Sequence, residues 1–163
     1  FLERLADYEK AREGYQLGQS ILAVKSGGAA GHGFGRGPVT QSGRLPYAYS
    51  DFAFAAVAEE GGFLGGIGVL SLVLLLVLSI FRVALLTRDP QGRLVCVGIG
   101  TLIAVQSAVN MGVALGVVPT TGMPLPFVSH GGSALVTFLV GVGFVLNVST
   151  RRTSVLRPGD DDR

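Results

Sequence analysis

The sequence predicts an all-α membrane protein, a polytopic helical bundle with three transmembrane helices, preceded by an N-terminal extracytoplasmic loop that carries short interfacial helices. Three observations predict it. Mean hydropathy is +0.52 and charged residues make up only 15% of the 163, where a soluble domain carries about 25%. The 25 glycines are interleaved with leucine and valine, a composition of helices packed closely in lipid and not of disordered chain. The arginines gather at the ends of the apolar stretches and are missing from one connection between them, the asymmetry of a chain that crosses a membrane repeatedly.

Residues 1–50 are read as one large outer loop. Phe1, Leu2, Leu5 and Tyr8 recur near helical spacing among Glu3, Arg4, Asp7, Glu9, Lys10, Arg12 and Glu13. This predicts a short amphipathic helix on the membrane surface, ended by Gly14. Gln16 to Val24 is too short to span a bilayer and is expected to lie in the interface or to re-enter partway. Ser26 to Pro38 is glycine-rich and reads as a tight, mobile loop that needs positive φ at several glycines. It neither follows a strand nor opens a soluble helix, so its Gly-x-Gly spacing is not read as a dinucleotide site, although its amides could cradle a phosphate.

Residues 51–86 are the exit from this loop and the first span. Gly61 to Phe81 holds 21 consecutive uncharged residues, enough to cross a bilayer. Its Gly61, Gly62, Gly65, Gly66 and Gly68 would allow close backbone approach to a neighbour. Residues 87–93 form a short cytoplasmic turn, 94–118 the second span, 119–130 an outer loop of re-entrant type, 131–150 the third span and 151–163 a cytoplasmic tail. The positive-inside rule sets these sides: Arg82, Arg88, Arg93, Arg151, Arg152 and Arg157 cluster at one face, and 119–130 has neither Lys nor Arg. The tail ending in Asp160, Asp161 and Asp162 reads as disordered. Because the chain begins with Phe1 and shows no signal pattern, it is read as the C-terminal piece of a longer protein.

Several function classes drop out. Cys96 stands alone in an apolar run, which leaves no disulfide framework and makes it a small buried hydrophobe. His32 and His130 make no metal-ligand spacing. A net charge of +2, spread along the chain, gives no basic patch for nucleic acid. What remains is Asp51, an acid at the border between loop and membrane, where a carboxylate is costly to keep. It also fits the first turn of a helix behind an N-cap Ser50, where the dipole favours negative charge. In the second span, Gln106, Ser107 and Asn110 form a polar stripe that must face protein or a cavity, not lipid. The segment Val118 to Ser133 is apolar yet has three prolines and three glycines, so it cannot be helical throughout and is expected to fold back beside Asp51.

Five motifs then fall in one order and one spacing: Gly14-Tyr15-Gln16-Leu17-Gly18-Gln19-Ser20; Leu45-Pro46 with Ser50-Asp51-Phe52-Ala53-Phe54 and Glu59-Glu60; Asn110-Met111-Gly112; Pro119-Thr120-Thr121-Gly122-Met123-Pro124-Leu125-Pro126-Phe127; and Ser129 with Gly131-Gly132-Ser133. Together, over residues 14–152, they resemble the C-terminal part of the SEDS family, the shape, elongation, division and sporulation proteins. The resemblance implies a multi-pass enzyme of the bacterial inner membrane that polymerises lipid II into glycan strands during elongation or division. In that family the acid of the Asp-Phe pair is essential, and it maps to Asp51 as general base. The implied substrate-binding residues are Gln19, Ser20, Arg36, Arg44, Glu59, Asn110, Ser129, Gly131 and Gly132, with structural hydrogen bonding an equal alternative for Gln19, Ser20, Asn110 and Ser129. Glu59, about 80° from Asp51 around a helix, would bond the loop or help bind substrate, and Glu60, on the opposite side, would cap or pair structurally. No metal ligands and no certain cofactor are implied, and a divalent cation is left open. The implied partners are lipid II, the undecaprenyl pyrophosphate-linked glycan and a class B penicillin-binding protein acting as transpeptidase. The family usually has Glu-Ala-His-Thr where this chain has Tyr47-Ala48-Tyr49-Ser50, and Tyr where it has His130. A precursor flippase, or a catalytically weak scaffold that recruits the transpeptidase, is the alternative.

Overall fold

The computed structural model describes the backbone of residues 2–41 and 52–155 and the side chains of 14–40 and 52–150. Asp51, Arg44 and the tail from residue 156 lie outside the described residues. Five helices follow in order: α1 (Leu2–Ser26), α2 (Pro38–Gln41), α3 (Ala53–Leu86), α4 (Pro90–Ala114) and α5 (Gly132–Val155). Three stretches, Ala53–Leu86, Pro90–Ala114 and Gly132–Thr150, are long and apolar enough to cross a membrane. The described residues are all-helical with three such spans, as the sequence predicts.

The first correction is at Gly14, which does not end a helix: α1 runs unbroken to Ser26. A glycine inside a helix costs about 1 kcal/mol, which tertiary contacts can outweigh. Ser20 is buried and its Oγ donates to the carbonyl of Ala114 at 2.9 Å, while the buried Ala23 joins a core with Met111, Val113 and Ala114. The helix stops where positive φ is first used, at Gly28. Gln16 to Val24 is therefore part of one helix and not a separate interfacial piece.

Each end of α4 has a local cause. Asp89 is the N-cap, its carboxylate accepting from the amides of Gln91 and Gly92, and Pro90 takes the first helical position, where a missing N–H is harmless. The helix therefore starts four residues before Leu94. It ends at Ala114, short of Val118, because Gly116 turns left-handed with φ 75°. A Cβ there would meet Ile21 Cδ1 at 2.7 Å, so the turn is also where α1 docks.

Two apolar cores hold the spans. The lower one gathers Val77, Ile80 and Ala84 of α3, Cys96 and Ile103 of α4, and Phe138 and Val145 of α5. Cys96 is fully buried there, as the reading of a small hydrophobe requires. The upper one joins Ala23, Val39, Phe52 to Ala55, Met111, Val113, Ala114 and Leu125. It ties the outer segments to the first turn of α3.

The glycines of α3 do not act as a stripe for a neighbouring helix. Gly62 has φ 63° and ψ −161°, a region essentially confined to glycine, and it breaks the helix. In an unbroken α-helix the amides of Phe63 and Leu64 would donate to the carbonyls of Glu59 and Glu60. Here both pairs are exchanged for the glycine-rich loop. The amides of Phe63 and Leu64 donate to Gly28 and Ala29 at 2.8 and 3.3 Å, and the carbonyls of Glu59 and Glu60 accept from His32 and Gly33 at 3.2 and 2.9 Å. Two internal bonds become four to the loop. The close approach foreseen for these glycines thus occurs at Gly62 and is made to a loop, while Gly61 and Gly68 face open space.

Candidate active site

The site is built on the first two turns of α3, directly after Asp51. Ala53, Ala56, Val57 and Glu60 lie at i, i+3, i+4 and i+7, one face of a helix. They line a cavity of about 380 Å³ whose other wall is Val128 and His130. The loop 119–130 therefore folds back against the residues that follow Asp51, as its prolines and position led one to expect.

Hydrogen bonds from the polar stripe of α4 hold that loop. Gln106 Nε2 donates to the carbonyl of Pro124 at 3.1 Å, and Asn110 Nδ2 to that of Met123 at 2.7 Å. Ser129 Oγ accepts the Leu125 amide at 2.6 Å. Phe127 has φ 64°, a left-handed conformation that costs a bulky residue roughly 1–3 kcal/mol. The bonds around it offset that cost: the amides of Val128 and Ser129 both return to the carbonyl of Leu125, and the Phe127 ring rests on Phe138 with centroids 5.6 Å apart. The result is a turn that presents Val128 and His130 to α3. Replacing Asn110, which is 1% exposed, by alanine is expected to cost about 1–3 kcal/mol. Thermal unfolding and protease cleavage within 119–130 would report it.

The two acids take different parts. Glu59 is fully buried, and its carboxylate accepts from the amides of Val39 and Thr40 at 2.6 and 3.0 Å, from the Thr40 hydroxyl and from Ser26 Oγ at 3.4 Å. Of its two proposed roles it fills the loop-bonding one; with no exposed surface it is not placed to touch substrate. Glu60 is partly exposed and lines the cavity opposite His130, so the expectation that it pairs structurally is corrected. The signal lay in its i+7 relation to Ala53, which puts it on the cavity face.

The remaining candidates divide. Ser20, Asn110 and Ser129 are engaged in the structural bonds above. Gln19 is half-buried, and its Oε1 has no hydrogen-bond partner among the described residues. Arg36 is exposed in the loop between α1 and α2. Gly131 donates its amide to the carbonyl of Ser129 and Gly132 opens α5. Among the described residues, no group of three or more His, Cys, Asp or Glu is placed to hold a metal ion.

Three membrane-length helices, a broken first span stapled to an outer loop, and a proline-rich loop folded over its start define a polytopic helical membrane protein with a cavity at one membrane face. Residues 1–154 match the FtsW/RodA/SpoVE family, described as cell cycle protein. The chain belongs to this family, the SEDS proteins, multi-pass proteins of the bacterial inner membrane. It is 48% identical over 138 residues to a probable peptidoglycan glycosyltransferase FtsW of Geobacter metallireducens, covering 85% of this chain and 36% of that protein. It is 44% identical over 136 residues to stage V sporulation protein E of Bacillus subtilis, covering 83% and 37%. Among solved structures it is similar to the rod shape determining protein RodA of Thermus thermophilus, with TM-score 0.65 and 37% identity, over 80% of this chain and 40% of that one. It is also similar to a chain of a peptidoglycan synthase complex, solved in work on the structural coordination of polymerization and crosslinking, with TM-score 0.67 and 35% identity over 82% and 37%. The chain thus spans well under half the length of these relatives.

Proposed function

We propose that the protein to which this chain belongs is a peptidoglycan glycosyltransferase that polymerises lipid II, with Asp51 as its general base. The observation that carries the reading is the cavity of about 380 Å³ that opens two residues after Asp51, between the start of α3 and the folded-back loop. The names of the relatives supply the reaction class.

The carboxylate of Asp51 takes the proton of the acceptor's 4-hydroxyl as that oxygen attacks the anomeric carbon of the donor. The bond from that carbon to undecaprenyl pyrophosphate breaks, and configuration inverts. Glu60 and His130 supply polar groups on the cavity walls for the neutral sugar, and an acidic side chain there disfavours the pyrophosphate. That group is left to Arg36, Arg44 and donors outside this chain. The arginine-poor loop 119–130, the segment 1–50 and Asp51 share the outer face, and the α3–α4 turn faces the cytoplasm. Similarity to a chain of a synthase complex supports a class B penicillin-binding protein as partner.

The test is polymerisation of labelled lipid II by the full-length protein with its cognate transpeptidase, wild type against Asp51→Ala. A general base contributes about 10²- to 10⁴-fold, so the variant is expected to lose at least about 100-fold in rate while remaining equally folded. Polymer from neither protein would point to a scaffold or a transporter. Equal polymer from both would leave Asp51 as a residue that only starts a helix.

A further inference from the structure

We propose that the turn between α3 and α4 seats the headgroup of an anionic phospholipid. A second cavity, of about 260 Å³, lies there, lined by Thr87, Arg88, Pro90, Arg93, Leu94 and Val97. Its chemistry is ordered along the chain. Arg88 and Arg93 are exposed and bring two guanidinium forks to one opening, the geometry that binds phosphate oxygens best. Pro90, Leu94 and Val97 follow the same face of α4 as Arg93, at i, i+4 and i+7, and carry the wall from the basic end into the apolar span.

Two local facts sharpen the assignment. The neighbouring acid, Asp89, does not line the cavity: its oxygens accept the amides of Gln91 and Gly92 at 3.2 and 2.9 Å, so its single charge offsets the two arginines only in part. It also occupies those amides, so the site is the arginine-lined cavity and not the helix terminus. Thr87 Oγ1 is buried without a hydrogen-bond partner among the described residues, a donor left over for an oxygen in the cavity. Apolar surface continues from the opening at Leu85 and Leu94, which are 73% and 75% exposed. A free phosphate would use only the arginines and Thr87. A phospholipid uses the arginines through its phosphate and the Leu94–Val97 wall through its first methylenes, and a net negative headgroup suits a cavity whose lining holds two cations and no acid. Juxtamembrane arginines attract anionic leaflets in general. The cavity adds a defined seat, and it stands whichever reaction the outer site performs.

The experiment is native mass spectrometry of the full-length protein in detergent, titrated with short-chain phosphatidylglycerol, with short-chain phosphatidylcholine and with inorganic phosphate in parallel. Phosphatidylglycerol is expected to form a saturable one-to-one adduct, and phosphate alone none. Arg88→Gln with Arg93→Gln should weaken that adduct at least tenfold. Val97→Trp, which fills the seat and keeps both arginines, should do the same, while Arg82→Gln, outside the cavity, should not. Undiminished binding by the double variant or by Val97→Trp would overturn the seat. Equal binding of phosphatidylcholine would overturn its preference for anionic lipid, and equal binding of inorganic phosphate would make it a phosphate site and not a lipid site.

Discussion

With Glu59 replaced by alanine, α2 comes away from α3. The carboxylate is fully buried and receives the amides of Val39 and Thr40 and the Thr40 hydroxyl. Removing it leaves these donors in a buried site that alanine cannot serve. Each orphaned group costs about 1–3 kcal/mol, and the hydroxyl can rotate away. The loss is therefore roughly 3–5 kcal/mol, at the upper end for a single substitution. It should be read locally, as hydrogen exchange at Val39 and Thr40 faster by at least about 100-fold, since each 1.4 kcal/mol is a factor of about ten. Glu59→Gln keeps one accepting oxygen and turns an amino group toward a donor, so it should fall between wild type and alanine. Unchanged exchange at Val39 and Thr40 in the alanine variant would mean that the carboxylate does not hold α2. Because α2 leads along the chain to Asp51, the proposed polymerisation should fall along with protection.

The second large effect is expected at Gly31. A Cβ there would stand 2.1 Å from the carbonyl oxygen of Glu60 and 2.5 Å from the amide nitrogen of Gly62. Both obstacles are backbone, so no side chain can swing aside. The residue also has φ 74°. Gly31→Ala must therefore withdraw the loop from the break in α3 and forfeit the four exchanged bonds. Gly33→Ala is the matched control: φ is 92°, but its nearest neighbour is Arg36 Cδ at 3.9 Å, so it pays only the left-handed strain, about 1–2 kcal/mol. Thermal unfolding should fall far more for Gly31→Ala than for Gly33→Ala, with lost protection at Phe63 and Leu64 in the first variant only. Equal shifts in the two would show that the clash with α3 is not felt.

These two sites also mark the limit of what the sequence discloses. The spans are legible because an apolar run of bilayer length has few other fates, and the folded-back loop because Pro119, Pro124 and Pro126 exclude a helix. Gln106 and Asn110 announce themselves as polar groups that lipid would not accept, although not that their partners would be carbonyls of that loop. By contrast, the break at Gly62 sits inside an apolar run like any other. What fixes it is the arrival of residues 28–33, some thirty positions earlier. The angle around a helix left two roles open for Glu59 and misplaced Glu60 for a related reason. Angle says which way a side chain leaves the axis, and the amides of Val39 and Thr40 decided which acid would be buried. Gly14 misled because a glycine permits a helix end without requiring one, and the contact of Ser20 with Ala114 carries the helix past it.

The exchange at Gly62 bears on what shapes the span. A span that completes its own hydrogen bonds can partition into lipid as soon as it leaves the translocation channel. In the folded protein the upper part of α3 does not complete its own, because the amides of Phe63 and Leu64 and the carbonyls of Glu59 and Glu60 find their partners in residues 28–33. Those residues precede the break by some thirty positions. The broken form of this span and the closed form of the glycine loop are therefore stable only together: with the loop withdrawn, α3 has to straighten to recover its backbone bonds, and the shape of the outer end of the span is set by a segment outside it.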